Sequence, residues 1–356
     1  MSDLTHVLIV NDSLSTGFLL KRLLTADPRF SPVTLVTDGV SAEKYVHEHD
    51  PDVILMDIRM PGQSGIETIH NIMAFKPVPI LVVTATLGNN MSEVFQCFHY
   101  GALDAILPPR HPEFRNIHQL SLEKIGQIGA DFIKKVWMIA GLKSRVGLNG
   151  FSRPDATTLE KKTLSGTYRM IAVGASTGGP AALTTLLQSF PVDFPLPVVI
   201  VQHMDFVFLQ SLTKYLQGFS KLPVKLAENG HSLDGGTIYL AGQEKAHLQI
   251  QQGRVQYTTI PQSIHMPSVD VFFNSVAESY GPHAIGLLLT GMGNDGAAGL
   301  KHMLACGGWT VAQDEKSSAI YGMPKAAVEL NACRQVLPLT EIGPEILKLI
   351  SSTCPL

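Results

Sequence analysis

The first third of the chain alternates short apolar runs with amphipathic stretches. Apolar runs bounded by turn residues predict strands, and apolar positions spaced three and four apart predict helices. Alternation of the two predicts a parallel sheet with helices on both faces, in a flavodoxin-like arrangement. The predicted strands are His6–Val10, Pro32–Val36, Val53–Met56, Pro79–Val83 and Asp104–Leu107, and the predicted helices are Leu14–Ala26, Gly39–His49, Ser64–Phe75 and Asn90–Tyr100.

The second half repeats this α/β alternation, which predicts a larger, Rossmann-like, doubly wound sheet. Two short runs, Ala246–Ile250 and Arg254–Thr258, flank Gln251-Gln252-Gly253 and predict a hairpin at the edge of that sheet. The other predicted strands are a run ending at Gly174, Pro197–Gln202, Val224–Ala227, Ile238–Ala241, Ala284–Leu289 and Trp309–Gln313. The predicted helices are Ala181–Gln188, Val207–Phe219, Ser268–Tyr280, Ala297–Cys306 and Lys325–Leu330.

A change of pattern separates the two halves. From Phe114 to Leu142 apolar residues recur at helical spacing, which predicts one or two amphipathic helices. From Lys143 to Thr167 the periodicity gives way to Ser, Thr, Gly, Pro and charged residues, the composition of a flexible connection. These patterns predict a first domain over residues 1–122, a helical and flexible linker over 123–166, and a second domain over 167–356. Such a linker would let one domain regulate the other by covering it.

Charge and composition narrow the classes of partner. The net charge is −3, with 27 basic and 30 acidic residues and no basic run, so a nucleic acid partner is not expected. No apolar run approaches the ~18–20 residues of a membrane span. The start lacks the basic and apolar regions of a secretory signal, which predicts a cytoplasmic protein without direct membrane insertion. The four cysteines have no C-x-x-C spacing, so reduced structural thiols are expected rather than a metal site.

Three polar residues follow predicted strands of the first domain: Asp12, Asp57 and Thr84. In parallel sheets, ligand sites lie beyond the carboxyl ends of the strands. Carboxylates near a hydroxyl at such a place can bind Mg²⁺, and one of them can accept a phosphoryl group. The structural alternative is that each aspartate only caps a helix.

Four motifs of this region together resemble the receiver domain of bacterial response regulators, over residues 4–122. They are L-I-V-N-D-S at Leu8–Ser13, I-L-M-D-I-R-M-P-G at Ile54–Gly62, T-A-T at Thr84–Thr86 and G-A-L-D at Gly101–Asp104. The resemblance implies that Asp57 is the phospho-acceptor, that Asp12 and Asp57 bind Mg²⁺, and that Thr84 is the switch hydroxyl.

Two residues depart from the receiver pattern. Asn11 stands where receivers usually carry a second acidic residue, so the metal site loses one negative charge. Pro108 stands where receivers carry a lysine, so no cation is supplied to the phosphoryl group. Two interpretations therefore stay open: a phospho-acceptor at Asp57, or a docking or inhibitory module with weak or no control by phosphorylation.

Three residues of complementary chemistry follow strands of the second domain. Ser176 lies between a strand and a helix, where backbone N–H groups can hold an oxyanion. His203 follows the next strand, and Asp295 lies in the glycine-rich loop Thr290–Gly296. A hydroxyl becomes a nucleophile when an imidazole takes its proton and a carboxylate orients that imidazole. The three residues therefore predict a serine hydrolase, whereas Ser176 by itself also fits a simple turn or an anion cradle.

Other residues compete for these roles. No rival histidine directly follows an apolar strand as His203 does, and a lone histidine is more often structural. The G-x-S-x-G match at Gly174–Gly178 is set aside because only His302, inside a predicted helix, follows Asp295. A dinucleotide-binding fingerprint needs G-x-G-x-x-G and an acidic residue after the second strand, and this sequence has neither. The rivals in this half are His231, His247, His265, Asp205, Asp234, Asp270 and Asp314.

The ordered motifs of the second domain resemble the catalytic domain of chemotaxis protein-glutamate methylesterases. They are V-G-A-S-T-G-G-P at Val173–Pro180, V-Q-H-M at Val201–Met204, P-S-V-D at Pro267–Asp270, L-T-G-M-G-N-D-G at Leu289–Gly296, A-Q-D-E at Ala312–Glu315 and Y-G-M-P at Tyr321–Pro324. The resemblance covers about residues 170–352 and, with the receiver, nearly the whole chain.

This resemblance implies hydrolysis of glutamate γ-methyl esters on methylated chemoreceptors, and often deamidation of receptor glutamines. Ser176 would be the nucleophile, His203 the base and then the acid, and Asp295 the orienting carboxylate. Met292 matches an active-site position of the family, and its N–H with that of Thr177 or a neighbour would serve the oxyanion. Catalysis would need no cofactor, and a chemotaxis histidine kinase would be the phosphodonor for the receiver.

Two other functions are compatible with the residues. A non-catalytic regulatory or adaptor protein would use the same fold without chemistry, but the intact serine, histidine and aspartate favour an enzyme. An esterase or amidase with another substrate would use the same three residues.

Overall fold

The computed structural model of the chain describes residues 4–85, 91–143, 168–261 and 266–352. The chain forms two compact units, Met1–Gly150 and Phe151–Leu356. Each unit is built on its own parallel sheet, as the alternating pattern predicts. Among the helices in the described ranges, none is long and apolar enough to cross a membrane.

The sheet of the first unit has five strands in the order β2-β1-β3-β4-β5. The strands are β1 (Thr5–Val10), β2 (Phe30–Val36), β3 (Val53–Met56), β4 (Ile80–Val83) and β5 (Asp104–Ile106), and the helices between them are α1 (Leu14–Thr25), α2 (Gly39–Glu48), α3 (Gly65–Phe75) and α4 (Met91–His99). Strands β1, β3 and β4 are neighbours, so the residues that follow them meet at one edge. All five predicted strands and four predicted helices are confirmed within two residues at each end.

Further helical segments complete the first unit. They are a 3₁₀ helix (Pro112–Gln119), α5 (Leu122–Ile128) and α6 (Ala130–Ala140). Helix α6 contacts β3 and β4 and buries Ile133, Val136 and Ile139. Its Lys135 Nζ lies 2.9 Å from Oδ2 of Asp104 in β5. Helices α5 and α6 belong to the first unit, whereas the domain bounds predicted from the sequence place them almost entirely in the linker. Most of the predicted flexible part, Lys143–Thr167, lies outside the described residues.

The sheet of the second unit has seven parallel strands in the order β14-β13-β12-β6-β7-β9-β8. These are β6 (Met170–Ala175), β7 (Val198–Gln202), β8 (Val224–Ala227), β9 (Ile238–Ala241), β12 (Ala284–Leu288), β13 (Trp309–Gln313) and β14 (Gln335–Leu337). The helices are α7 (Gly179–Gln188), α8 (Phe206–Gln217), α9 (Val269–Tyr280), α10 (Ala297–Ala305), α11 (Met323–Glu329) and α12 (Leu339–Ser352), with a 3₁₀ turn at Gly281–His283. Strand β14 and helix α12 were not predicted from the sequence.

The predicted hairpin exists, but its placement at the sheet edge is wrong. Strands β10 (His247–Gln251) and β11 (Arg254–Thr258) form a two-stranded antiparallel sheet of their own. The apolar side chains of Leu248, Ile250 and Val255 are buried in a cluster with α9. The hairpin therefore covers a helix instead of extending the main sheet, because its apolar face needs a partner to pack on.

Helix α9 occupies the centre of the second unit, since it contacts β6 and β12 as well as β10 of the hairpin. Phe272, Phe273 and Val276 of this helix are fully buried. Two polar contacts add to the packing: the Ile250 N–H donates to Ser275 Oγ at 2.9 Å, and Ser279 Oγ donates to the Ile250 carbonyl at 2.7 Å. The hairpin is thus fixed to the helix by apolar packing and hydrogen bonds together.

Replacing Phe272 by Ala is expected to lower the free energy of unfolding of the second unit by about 3–5 kcal/mol, because the buried ring leaves a cavity. Trp309 lies in the second unit and Trp137 in the first, so Trp309 fluorescence in a Trp137→Phe background follows the second unit during urea unfolding. The control Val192→Ala, at a position 75% exposed, should change this free energy by less than about 0.5 kcal/mol. Equal losses in the two variants would contradict the assignment of Phe272 to the core.

Candidate active site

Ser176 lies at the turn between β6 and α7, with 8% of its surface exposed. The turn closes through Gly178, whose φ of +78° is in the left-handed region that favours glycine. A Cβ at Gly178 would also lie 2.5 Å from Cβ of Ala319. The Ser-Thr-Gly-Gly sequence therefore permits the tight turn that brings the serine to the carboxyl edge of the sheet.

The backbone of Ser176 is held on both sides. Its N–H donates to the Thr290 carbonyl at 3.0 Å, and its carbonyl accepts from the Gly179 N–H at 2.8 Å. Because the Ser176 N–H is already bonded inside the protein, it is not the donor that would hold an oxyanion. The remaining candidates are N–H groups of the neighbouring residues.

His203 leaves the sheet beside Ser176. In the register of β6 and β7, Ala175 pairs with Gln202, so the two candidate residues, Ser176 and His203, follow paired positions on adjacent strands. The His203 N–H donates to the Ala175 carbonyl at 2.9 Å. The Gln202 side chain donates through Nε2 to the carbonyls of Ser176 (2.8 Å) and His203 (3.0 Å). Gln202 thus ties the two turns together, a role that the sequence analysis missed although this buried amide ends an otherwise apolar strand.

Asp295 approaches from the loop after β12, the strand on the other side of β6. Its Oδ2 lies 2.8 Å from Nε2 of His203, and the two side chains are only 9% and 11% exposed. The structure therefore brings the predicted serine, histidine and aspartate to the ends of three adjacent strands. Since Asp295 contacts Nε2, Nδ1 is the ring nitrogen that can take a proton from a hydroxyl.

The Asp295 carboxylate receives further hydrogen bonds from the start of α9. Oδ1 accepts from Ser268 Oγ at 2.8 Å and from the Asp270 N–H at 3.0 Å, and Oδ2 accepts from the Val269 N–H at 2.7 Å. Burial by itself raises the pKa of Asp295, but the bond and charge of His203 and these backbone N–H groups outweigh it and hold the pKa below its usual range. Asp295 is therefore ionised at neutral pH, as an orienting carboxylate must be.

The rival residues serve structural purposes. The His231 side chain contacts Glu228 on the same loop, and the Asp314 carboxylate accepts from Ser317. The Asp234 carboxylate accepts from the Tyr239 hydroxyl, and Asp205 is the N-cap residue of α8, without a capping hydrogen bond from its side chain. His265 lies outside the described residues. His247 is buried against the segment that holds Asp295, which the sequence did not indicate.

One buried and one partly buried thiol, those of Cys97 and Cys333, are not competing nucleophiles. Burial raises the pKa of Cys97 and of Cys333 to about 12. Both thiols are therefore protonated at neutral pH, and the thiolate is the nucleophilic form.

The first unit brings Asn11, Asp12 and Asp57 together at the ends of β1 and β3. Nδ2 of Asn11 donates to Oδ2 of Asp57 at 3.0 Å, and Oδ1 of Asn11 accepts from the Ser13 N–H at 2.9 Å. Asp57 Oδ1 accepts from the Ile58 N–H at 2.7 Å. Burial raises the pKa of Asp57, and the charge of Asp12 adds to this effect. Thr84 is buried at the end of the neighbouring strand β4.

These residues do not fit a Mg²⁺ site. Mg²⁺ requires oxygen ligands in near-octahedral geometry. Here the amide nitrogen of Asn11 faces the Asp57 carboxylate, and the amide oxygen is used by the Ser13 backbone. Within the described ranges, no three His, Cys, Asp or Glu side chains are placed to hold a metal ion.

The two sheets and their strand-end residues define a class of protein: a receiver unit joined to a doubly wound α/β unit that brings the residue types of a serine hydrolase to one sheet edge. The family model for the response regulator receiver domain matches residues 7–116, and that for CheB methylesterase matches residues 171–346. The chain belongs to the CheB methylesterase family.

Curated relatives match along almost the whole chain. Protein-glutamate methylesterase/protein-glutamine glutaminase 1 of Cupriavidus pinatubonensis is 40% identical over 348 residues, which cover 98% of each protein. A protein of Pseudomonas aeruginosa with the same name, numbered 3, is 38% identical over 339 residues, covering 95% of this chain and 97% of the relative. The crystal structure of the Thermotoga maritima CheB methylesterase catalytic domain is 34% identical, with a TM-score of 0.49, and covers 52% of this chain and 100% of that one.

Gly291→Ala is expected to lower kcat for ester hydrolysis by about 100-fold, because a small displacement of a catalytic group has an effect of this size. The added methyl would lie 2.7 Å from Cβ of Ser176 and 2.3 Å from Sδ of Met323, so the nucleophile would have to move. Gly126→Ala, which meets no atom within 4 Å, is the control for a glycine substitution as such. Steady-state rates of the two folded variants test this, and unchanged kcat in Gly291→Ala would show that this contact does not fix Ser176.

Proposed function

We propose that this chain hydrolyses glutamate γ-methyl esters on methylated chemoreceptors with Ser176 as nucleophile. The observation that carries the proposal is the 2.8 Å contact between His203 Nε2 and Asp295 Oδ2, on strands that flank the strand of Ser176. Such a contact fixes the orientation of the imidazole and stabilises its cation. Because the chain belongs to the CheB methylesterase family, we take the substrate to be a methyl ester.

In the first half-reaction, His203 Nδ1 takes the hydroxyl proton while Ser176 Oγ attacks the ester carbonyl carbon. The tetrahedral intermediate collapses as His203 gives the proton to the methoxy oxygen, and methanol leaves. In the second half-reaction, His203 removes a proton from water, which attacks the acyl-enzyme, and the proton returns to Ser176 as glutamate is released. Each proton passes through His203, so these steps need no cofactor.

The oxyanion would be held by backbone N–H groups of Thr177 and Met292. Thr177 follows the nucleophile and is buried, while Met292 is half-buried in the loop that carries Asp295. The bond between the Ser176 N–H and the Thr290 carbonyl supports this choice, because it leaves the Ser176 N–H unable to serve as a donor to the oxyanion.

Deamidation of receptor glutamines would follow the same path, with ammonia in place of methanol. The relatives are named for both activities, protein-glutamate methylesterase and protein-glutamine glutaminase. The acyl-enzyme is identical for the ester and the amide, so one site serves both. A catalytically silent adaptor would not need an ionised aspartate held against a buried histidine.

Ser176→Ala is expected to lower kcat for methanol release from a methylated receptor fragment by about 10⁴–10⁶-fold, because the nucleophile is lost. Ser189→Ala, at the other end of the same helix with its hydroxyl bonded to the Leu186 carbonyl, should keep nearly full activity. A panel of small esters assayed in parallel separates a receptor methylesterase from an esterase for another substrate. Activity retained in Ser176→Ala would mean that another group is the nucleophile.

The receiver is proposed to regulate the catalytic unit with weak dependence on phosphorylation of Asp57. The amide of Asn11 donates to the carboxylate that would accept the phosphoryl group, and Pro108 provides no cation. A chemotaxis histidine kinase remains the proposed phosphodonor for any transfer that does occur. Regulation would then come mainly from the presence of the folded receiver and only weakly from phosphorylation of Asp57.

Small-molecule acyl phosphate with Mg²⁺ is expected to leave the methanol-release rate of the full chain nearly unchanged, and Asp57→Ala should have as little effect. Asn11→Asp supplies a carboxylate oxygen to the pocket, so calorimetry should show Mg²⁺ affinity at least about tenfold higher than in the original chain. Gln127→Glu, at an exposed position of α5, is the control for added charge. Activation by acyl phosphate that Asp57→Ala abolishes would instead establish control by phosphorylation.

A further inference from the structure

The segment that begins α9 holds the Asp295 carboxylate through three donors. These are the hydroxyl of Ser268 and the N–H groups of Val269 and Asp270. Ser268 is also the N-cap residue of the helix, since its Oγ accepts from the Val271 N–H. The position of this one segment therefore decides where the carboxylate lies relative to His203.

His247 holds the same segment from the hairpin side. It is fully buried on β10, and its Nδ1 accepts a hydrogen bond from the Ser268 N–H at 3.0 Å. Its Nε2 lies 2.7 Å from the Pro261 carbonyl, which can only accept, so Nε2 carries the proton and Nδ1 does not. Both ring nitrogens are thereby bonded to backbone groups.

We propose that His247 is a positioning residue for hydrolysis, acting through Ser268 to place Asp295 against His203. This inference rests on the proposed roles of Ser176, His203 and Asp295. His247 takes no part in proton transfer, because the groups bonded to its two nitrogens are a backbone amide and a carbonyl that do not titrate.

The physical reason is the burial of the Ser268 N–H. Ser268 is only 4% exposed, so without the imidazole its N–H loses a partner that water cannot easily replace. An unsatisfied buried donor is costly, and the segment would shift to find an acceptor. A shift of about 1 Å in a group that positions catalysis can lower the rate about 100-fold.

The far side of this segment is fixed independently. The Asp270 carboxylate accepts from the Gly299 N–H in the first turn of α10 at 2.6 Å, while Asp295, just before α10, accepts from the first turn of α9. The amino-terminal end of each helix therefore donates a backbone hydrogen bond to a carboxylate at the start of the other. With this side anchored, the His247 contact controls the remaining end, at Ser268.

Three substitutions at His247 separate the two hydrogen bonds. Asn places an oxygen close to where Nδ1 lies and can accept from the Ser268 N–H, whereas Gln reaches towards the Pro261 carbonyl and Leu makes neither bond. We expect kcat of the full chain for methanol release to stay within about tenfold for His247→Asn, and to fall about 100-fold for His247→Gln and His247→Leu, with KM unchanged. His302→Leu, a histidine on α10 bonded to the Asn274 side chain, is the matched control.

A double-mutant cycle tests the route of the effect. If His247 acts through Asp295, His247→Leu should lower kcat by less than about threefold in an Asp295→Asn background, because that background has no carboxylate left to position. The proposal would be overturned if kcat fell equally in His247→Asn and His247→Gln and followed their melting temperatures. It would also be overturned if His247→Leu lowered kcat about 100-fold in the Asp295→Asn background as well. Activity retained in Ser176→Ala would instead refute the proposed nucleophile, so the two failures are distinguishable.

Discussion

The arrangement of the second unit depends on one buried carboxylate. Asp295 is only 8% exposed, and an ionised group at a buried position is costly unless hydrogen bonds and an opposite charge compensate it. Compensation comes from His203 on one side and from the first turn of α9 on the other. Helix α9 can supply these donors only because its apolar face is packed between the main sheet and the hairpin. An electrostatic requirement at the site is thus met by the packing of the surrounding core.

The parallel sheet converts separate stretches of sequence into one site. Because β12, β6 and β7 are neighbours, the residues that follow them come together although more than 90 positions separate His203 from Asp295. Backbone hydrogen bonds between the loops then fix the details, including those from the Ser176 N–H to the Thr290 carbonyl and from the His203 N–H to the Ala175 carbonyl. Glycines at positions 178 and 291 allow these loops to approach each other more closely than side chains would permit.

Both units place their polar residues at the carboxyl ends of parallel strands, but the aspartate has a different kind of partner in each unit. In the second unit, Asp295 faces His203, which would become a cation in the proposed reaction, so the charge of the carboxylate would stabilise it. In the first unit, Asp57 faces the neutral amide of Asn11, which donates a hydrogen bond but supplies no charge. The same strand-end geometry therefore forms the proposed hydrolytic site in one unit and a pocket unsuited to Mg²⁺ in the other.

The sequence by itself determined the two parallel sheets, since apolar periodicity reflects burial directly, and it singled out Ser176, His203 and Asp295 as candidates because each follows a strand. It did not reveal β14 or α12: β14 has only three residues, all partly exposed, and α12 contains Pro344. Only the tertiary structure decided that the hairpin covers α9, that Asp295 meets Nε2 of His203, and that His247 supports Ser268. These contacts join residues 21 to 92 positions apart, several through backbone atoms, and backbone groups are the same at every residue, so no residue type marks them in the chain.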